Sequence, residues 1–166
     1  MFGEASDERT VCKRDDPLSF RHHGRGVPNR RVGDTMIQSE ALVGVGVVDV
    51  ALHFRDDVAD DAGLCVQVYA KVAGRDTELL RFDCFANAPH YHYGPEAANE
   101  RLMLDATASG DPLDWTLERF ERGRLKAMVR RAGYDAVADA IDDGAVQAAL
   151  PALAEHAREI VARHTT

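Results

Sequence analysis

Cysteine is scarce in this chain: three residues in 166, Cys12, Cys65 and Cys84, with no Cys-x-x-Cys pair. An odd count without zinc-ligand spacing argues against a disulfide framework and predicts a reducing compartment, the cytoplasm. Long apolar runs are missing too. Nothing approaches the ~20 consecutive apolar residues of a membrane helix, so no membrane partner is expected. The first residues, MFGEASDERTVCKRDD, have neither the apolar centre of a signal peptide nor the Arg-rich, acid-poor character of a transit peptide. Absent as well are a Gly-x-Ser-x-Gly elbow and the Gly-Lys-Ser/Thr ending of a P-loop. Gly44-Val45-Gly46 lacks the remaining glycine of a dinucleotide fingerprint and reads instead as a bulge or close-packing site. No nucleotide cofactor is expected.

The composition is that of a globular chain, with 45% hydrophobic and 29% charged residues, and the length suits one domain. Charge is unbalanced: 20 basic against 28 acidic side chains leave a formal −8. Such a field repels polyanions, so nucleic acid is an unlikely partner. Two segments run the other way, one from Arg21 to Arg31 and one from Arg119 to Arg131. Residues 1–36 contain few apolar side chains, with Pro17 and Pro28 among them, and are expected to form a flexible arm. That arm, or the basic helix predicted over 112–131, is the expected contact with a second copy or a partner subunit.

Residues 37–166 read as a single α+β domain, with the sheet over about 41–106 and helices over about 111–164. ALVGVGVVDVALHF, from Ala41, is a β-branched run that reads as one strand, with Asp49 and His53 on its polar side. GLCVQVYAKV then alternates strictly, placing Leu64, Val66, Val68 and Ala70 opposite Cys65, Gln67, Tyr69 and Lys71. In TELLRFDCF the apolar face takes Leu80, Phe82 and Cys84, and the other face Leu79, Arg81, Asp83 and Phe85. Short turns make these an antiparallel meander, and ERLMLDA offers a fourth strand. The expected fold is a three- to four-stranded antiparallel meander packed on one face by C-terminal helices. Asp111 as N-cap with Pro112 after it opens the helical part, Gly123 is a weak point, and Gly133 is a stop. Pro151 is expected to kink the last helix or begin a new one.

Chemistry concentrates in Pro89-His90-Tyr91-His92-Tyr93-Gly94-Pro95, directly after the third strand. In an extended chain His90 and His92 point the same way, about 6.5 to 7 Å apart at Cα, from where two imidazoles can reach one metal ion. The candidate third ligands are His53 and Asp83, both on the polar side. Histidine nitrogen with a carboxylate suits zinc or iron(II), and open coordination positions suit catalysis, here the activation of water for hydrolysis. The expected metal ligands are His53, His90 and His92, with Arg81, Asp83 and Tyr91 as catalytic candidates. The same residues also permit metal-free acid–base chemistry, with a histidine as base, Asp83 orienting it and Arg81 stabilising an anion. A third possibility is a non-catalytic accessory subunit. Cys84 is expected in the core; Cys65, on the polar side, is a candidate nucleophile only if a histidine adjoins it.

The pattern RFDCF, then PHYHYGP, then Gly110-Asp111-Pro112-Leu113-Asp114-Trp115 resembles an uncharacterised bacterial family, a domain of unknown function, over roughly residues 42–143. That resemblance implies no activity. A looser similarity links Arg81-Phe82-Asp83 and Asn87-Ala88-Pro89-His90 to the TumE-like toxins of toxin–antitoxin pairs, which implies a toxin-like ribonuclease. In this chain, however, Cys84, Phe85 and Ala86 separate the aspartate from the asparagine, and His92 alone follows as a second histidine.

Overall fold

The computed structural model describes residues 31–32, 35–37 and 39–166. Its elements are β1 (Arg31–Val32), β2 (Thr35–Met36), β3 (Ala41–Val45), β4 (Val48–Val58), β5 (Asp61–Val72), β6 (Arg75–Phe85), β7 (His90–Tyr93) and β8 (Glu100–Met103). Helices follow: α1 (Ala106–Ser109), α2 (Pro112–Glu121), α3 (Leu125–Arg131), α4 (Asp135–Ala140) and α5 (Asp143–His164). Strands β3 to β8 form one six-stranded antiparallel sheet in sequence order, and β1 pairs, among the described residues, with β2. The α+β expectation holds, with more strands than the three or four expected. Most of the segment expected to be a flexible arm lies outside the described residues.

Two of the additional strands come from segments with legible physics. The run from Ala41 is two strands, because Gly46 sits at φ 64 in a two-residue turn with Val47. A glycine with positive φ at that position lets the chain reverse with the twist the strands require. Gly46 is therefore a hairpin turn, not a bulge. The histidine segment is itself a strand, β7, paired with both β6 and β8.

Alternation divides the sheet into two faces. On one, Leu52, Val66, Phe82, Tyr91 and Leu102 stand in a single cross-strand row. The neighbouring row holds Val50, Val68, Leu80 and Tyr93. This is the core face, covered by α5 over β3 to β5, α2 over β6, and α3 over β6 and β7. Leu52, Val66, Leu80, Phe82, Phe120, Leu125, Val129, Leu153 and Ile160 are all buried there. On the opposite face, rows run His53–Cys65–Asp83–His90–Met103 and Ala51–Gln67–Arg81–His92–Arg101. A bulge in β6 sets the next row. Register shifts between Val68 and Tyr69 so that Tyr69 faces Glu78 and Leu79 is the extra residue. Leu79 and Leu80 are both fully buried as a result, and Glu78 joins the polar face.

The helices begin as the sequence predicts. The Asp111 side chain accepts from the Asp114 amide ahead of Pro112, and the Asp142 side chain caps α5 through the Gly144 amide. The helix expected over 112–131 is two: Gly123, at φ 65, separates α2 from α3. Pro151 does not break α5, which runs unbroken to His164. It lies on the exposed side, while Val146, Leu153, Ala157 and Ile160 hold both halves against the sheet.

Candidate metal centre

Asp83, His90 and His92 converge because of the β6–β7 pairing. His90 lies directly opposite Asp83, and His92 is two residues further along the same face. His90 Nε2 is 3.2 Å from Asp83 Oδ2, and His92 Nε2 is 3.3 Å from the same oxygen. The imidazoles stand edge to face with centroids 5.1 Å apart, and Phe85 packs against His90. Asp83 is 3% exposed, so the carboxylate is removed from water.

Each imidazole is fixed from behind. His90 Nδ1 donates to the Ala88 carbonyl at 2.7 Å, and His92 Nδ1 to Asn99 Oδ1 at 2.8 Å. A carbonyl oxygen only accepts, so both Nδ1 atoms carry protons, and in a neutral ring Nε2 is left as a lone pair. Two such lone pairs then face one carboxylate oxygen, an arrangement of three acceptors that needs a proton or a cation among them. Among the described residues, the donor atoms of Asp83, His90 and His92 form the one group of three or more that lies within 4.8 Å of one another.

Electrostatics follow from this packing. Burial pushes the Asp83 carboxyl up, but the contacts with His90 and His92 and the hydrogen bond from Cys65 outweigh it and hold the group well below the usual carboxylate range. His90 is shifted upward: burial opposes its charge, and the bond to Asp83 prevails. The Cys65 thiol donates to Asp83 Oδ1 at 2.9 Å. Burial first, then the adjacent carboxylate, drive its pKa far upward. Cys65 is therefore a thiol that orients Asp83, not the nucleophile its position on the polar side allowed. Cys84 is on the core face, as expected, against Thr116 and the Pro112 carbonyl.

Three expected participants are not among these three ligand atoms. His53 occupies the same cross-strand row, but Cys65 lies between it and Asp83. With strands about 4.8 Å apart, His53 is about 10 Å from Asp83 at the backbone, and it is Asp83 that completes the group with His90 and His92. Its buried Nδ1 has no partner among the described residues, and burial, helped by Arg55 and Arg81, lowers its pKa. Tyr91 is corrected outright. One residue out of phase with His90 and His92, it faces the core, 5.2 Å from Trp115 and 6.1 Å from Phe82 between ring centroids. Arg81 faces the polar side, but both arms of its guanidinium fork engage Glu78 at 2.8 Å, and Gln67 braces that carboxylate.

Asn99 and the Ala88 carbonyl escaped the sequence reading. Asn99 follows Gly94-Pro95-Glu96-Ala97-Ala98 and adopts φ 48, a conformation that asparagine tolerates. That type of residue in a loop was the available signal. The basic run is largely neutralised: Glu118 pairs with Arg119 and Arg122, Asp135 and Asp139 with Arg130, and Glu100 with Arg131. Among the described residues, no helix is long and apolar enough to cross a membrane.

Comparison with known proteins finds no match among curated proteins or solved structures. One family model does match, over residues 42–157, a span that runs from β3 into α5 and contains Asp83, His90, His92, Cys65 and Asn99. The chain belongs to that family, Domain of unknown function (DUF7700).

Proposed function

We propose that this protein is a divalent-metal-binding hydrolytic enzyme, or a subunit of one, whose ion is held by His90 Nε2, His92 Nε2 and Asp83 Oδ2. The carrying observation is the pair of Nδ1 hydrogen bonds, to Ala88 and Asn99, which leave two imidazole lone pairs aimed at a single buried carboxylate oxygen. Partners of this kind are what orient histidine ligands in metal sites. Separation supports the reading as well. Ligand atoms about 2.0 to 2.1 Å from a tetrahedral ion lie roughly 3.3 to 3.4 Å from each other, close to the observed 3.2 and 3.3 Å. Three protein ligands leave a coordination position for substrate or water, and two imidazoles with one carboxylate suit zinc or iron(II). A bound ion there supplies Lewis acidity and lowers the pKa of a coordinated water.

Elemental analysis after chelation and refilling tests this. About one zinc or iron per chain is expected in the wild type, and His90→Ala is expected to lose it while keeping its circular dichroism. Full metal content in a folded His90→Ala protein would sink the proposal. A metal-free reading has one specific observation in its favour, the Asp83–His90 contact that raises the histidine's pKa as a catalytic pair does. That reading gains if the wild type takes up no ion under any loading condition.

A further inference from the structure

Resting on the metal reading, we infer that the site takes a small organic anion, a carboxylate with an apolar arm, anchored by Arg101 and covered in part by Met103. Both residues belong to β8, the edge strand beside the two histidines. Arg101 is the register partner of His92, and Met103 that of His90, so the two stand on the face that holds the metal ligands. The intervening residues confirm the phase: Leu102 packs toward the core, and Glu100 turns to Arg131 of α3. About 6.5 to 7 Å separates Arg101 from Met103 at Cα, the span of a short carbon chain.

The charge balance of this face singles out Arg101. Arg81 is spent on Glu78 and Arg55 on Asp57, each through side-chain hydrogen bonds. Arg101 is exposed and has no ion-pair partner among the described residues. A divalent ion with one carboxylate ligand keeps a net positive charge, and Arg101 adds another beside it. In a chain of formal charge −8, this is a local positive focus that attracts an anion. Met103 supplies the other half of the recognition. At 54% it is one of two large exposed hydrophobic residues among those described, and it adjoins the ligand His90. A cation and an apolar surface side by side match a molecule with a charged head and a hydrocarbon arm.

The test uses the full chain loaded with Co²⁺, whose stoichiometry and visible spectrum are recorded first. Acetate, butanoate and hexanoate, and their neutral amides, are then titrated by calorimetry and by the visible band. Tighter binding of hexanoate than of acetate is expected, with no binding of the amides. Arg101→Gln should weaken every carboxylate by about tenfold, the scale of one charge-assisted contact. Met103→Ser should erase the advantage of the longer chain and leave acetate unchanged. Arg131→Gln, on the opposite face, should change nothing. Carboxylate affinities unaffected by Arg101→Gln, or equal binding of amides, overturn the anion assignment while leaving the metal reading intact. Failure to bind Co²⁺ at all overturns both.

Discussion

At His90, burial and a carboxylate pull in opposite directions, and the carboxylate wins: the pKa lies above the ordinary 6.5. A raised folded-state pKa stabilises the native protein fully below the unfolded value, and that contribution is lost as pH rises through the folded one. In metal-free protein, the wild type should therefore exceed His90→Gln in urea stability by more at about pH 5.5 than at about pH 8.5. His53, whose pKa is lowered, works in the opposite sense, losing stability as pH falls below 6.5. It is present in both proteins, so the difference between them isolates His90. An equal margin at both pH values would contradict the Asp83–His90 pairing. The site was half legible at this scale. His90 and His92 announced themselves by their spacing of two, and Asp83 by its phase on β6. His53 shared that phase, yet phase says which face a side chain occupies and not how many strands lie between two of them.

Among the elements, the β5–β6 hairpin carries a local cost. Its two-residue turn places Ala73 at φ 50 and Gly74 at φ 78, the pairing that favours Asn-Gly over Ala-Gly. Ala73 is exposed, so nothing packs against its methyl in recompense. Ala73→Asn should stabilise the protein by about 0.5 to 1 kcal/mol, read as a higher urea midpoint with an unchanged slope. Strand alternation made β4, β5 and β6 legible because one face is dry and the other polar. Local pattern misleads at two places for physical reasons. Gly46 reverses a run whose β-branched residues continue on both sides of the turn, so composition gives no pause where the chain turns. Pro151 sits inside α5 because burial of Leu153, Ala157 and Ile160 outweighs the one hydrogen bond that proline forgoes.

The molecule as a whole is lopsided: helices cover one face of the sheet, and the Asp83, His90 and His92 group lies on the other. That arrangement was readable from strands preceding helices in the chain; the six-strand extent was not, because β7 and β8 span only four residues each. Tying β6 and β7 together through one ion should stiffen this sheet. At a free Zn²⁺ concentration a hundredfold above its dissociation constant, binding adds about 2.7 kcal/mol to stability. For a domain of this size that is roughly 5 to 10 °C in melting temperature, visible by differential scanning fluorimetry with and without chelator. An unchanged melting temperature at saturating Zn²⁺ would argue against a site formed in the native state. The bulge at Leu79 has its own effect on how this chain tolerates change in length. Upstream of it, β6 is threaded in one frame, and downstream in the other, so the Glu78–Arg81 clasp straddles the bulge while Arg81 and Asp83 share the downstream frame. A residue lost or gained on the Leu79 side would be absorbed at the bulge, whereas the same change between Arg81 and Asp83 would turn the carboxylate into the core, away from His90 and His92.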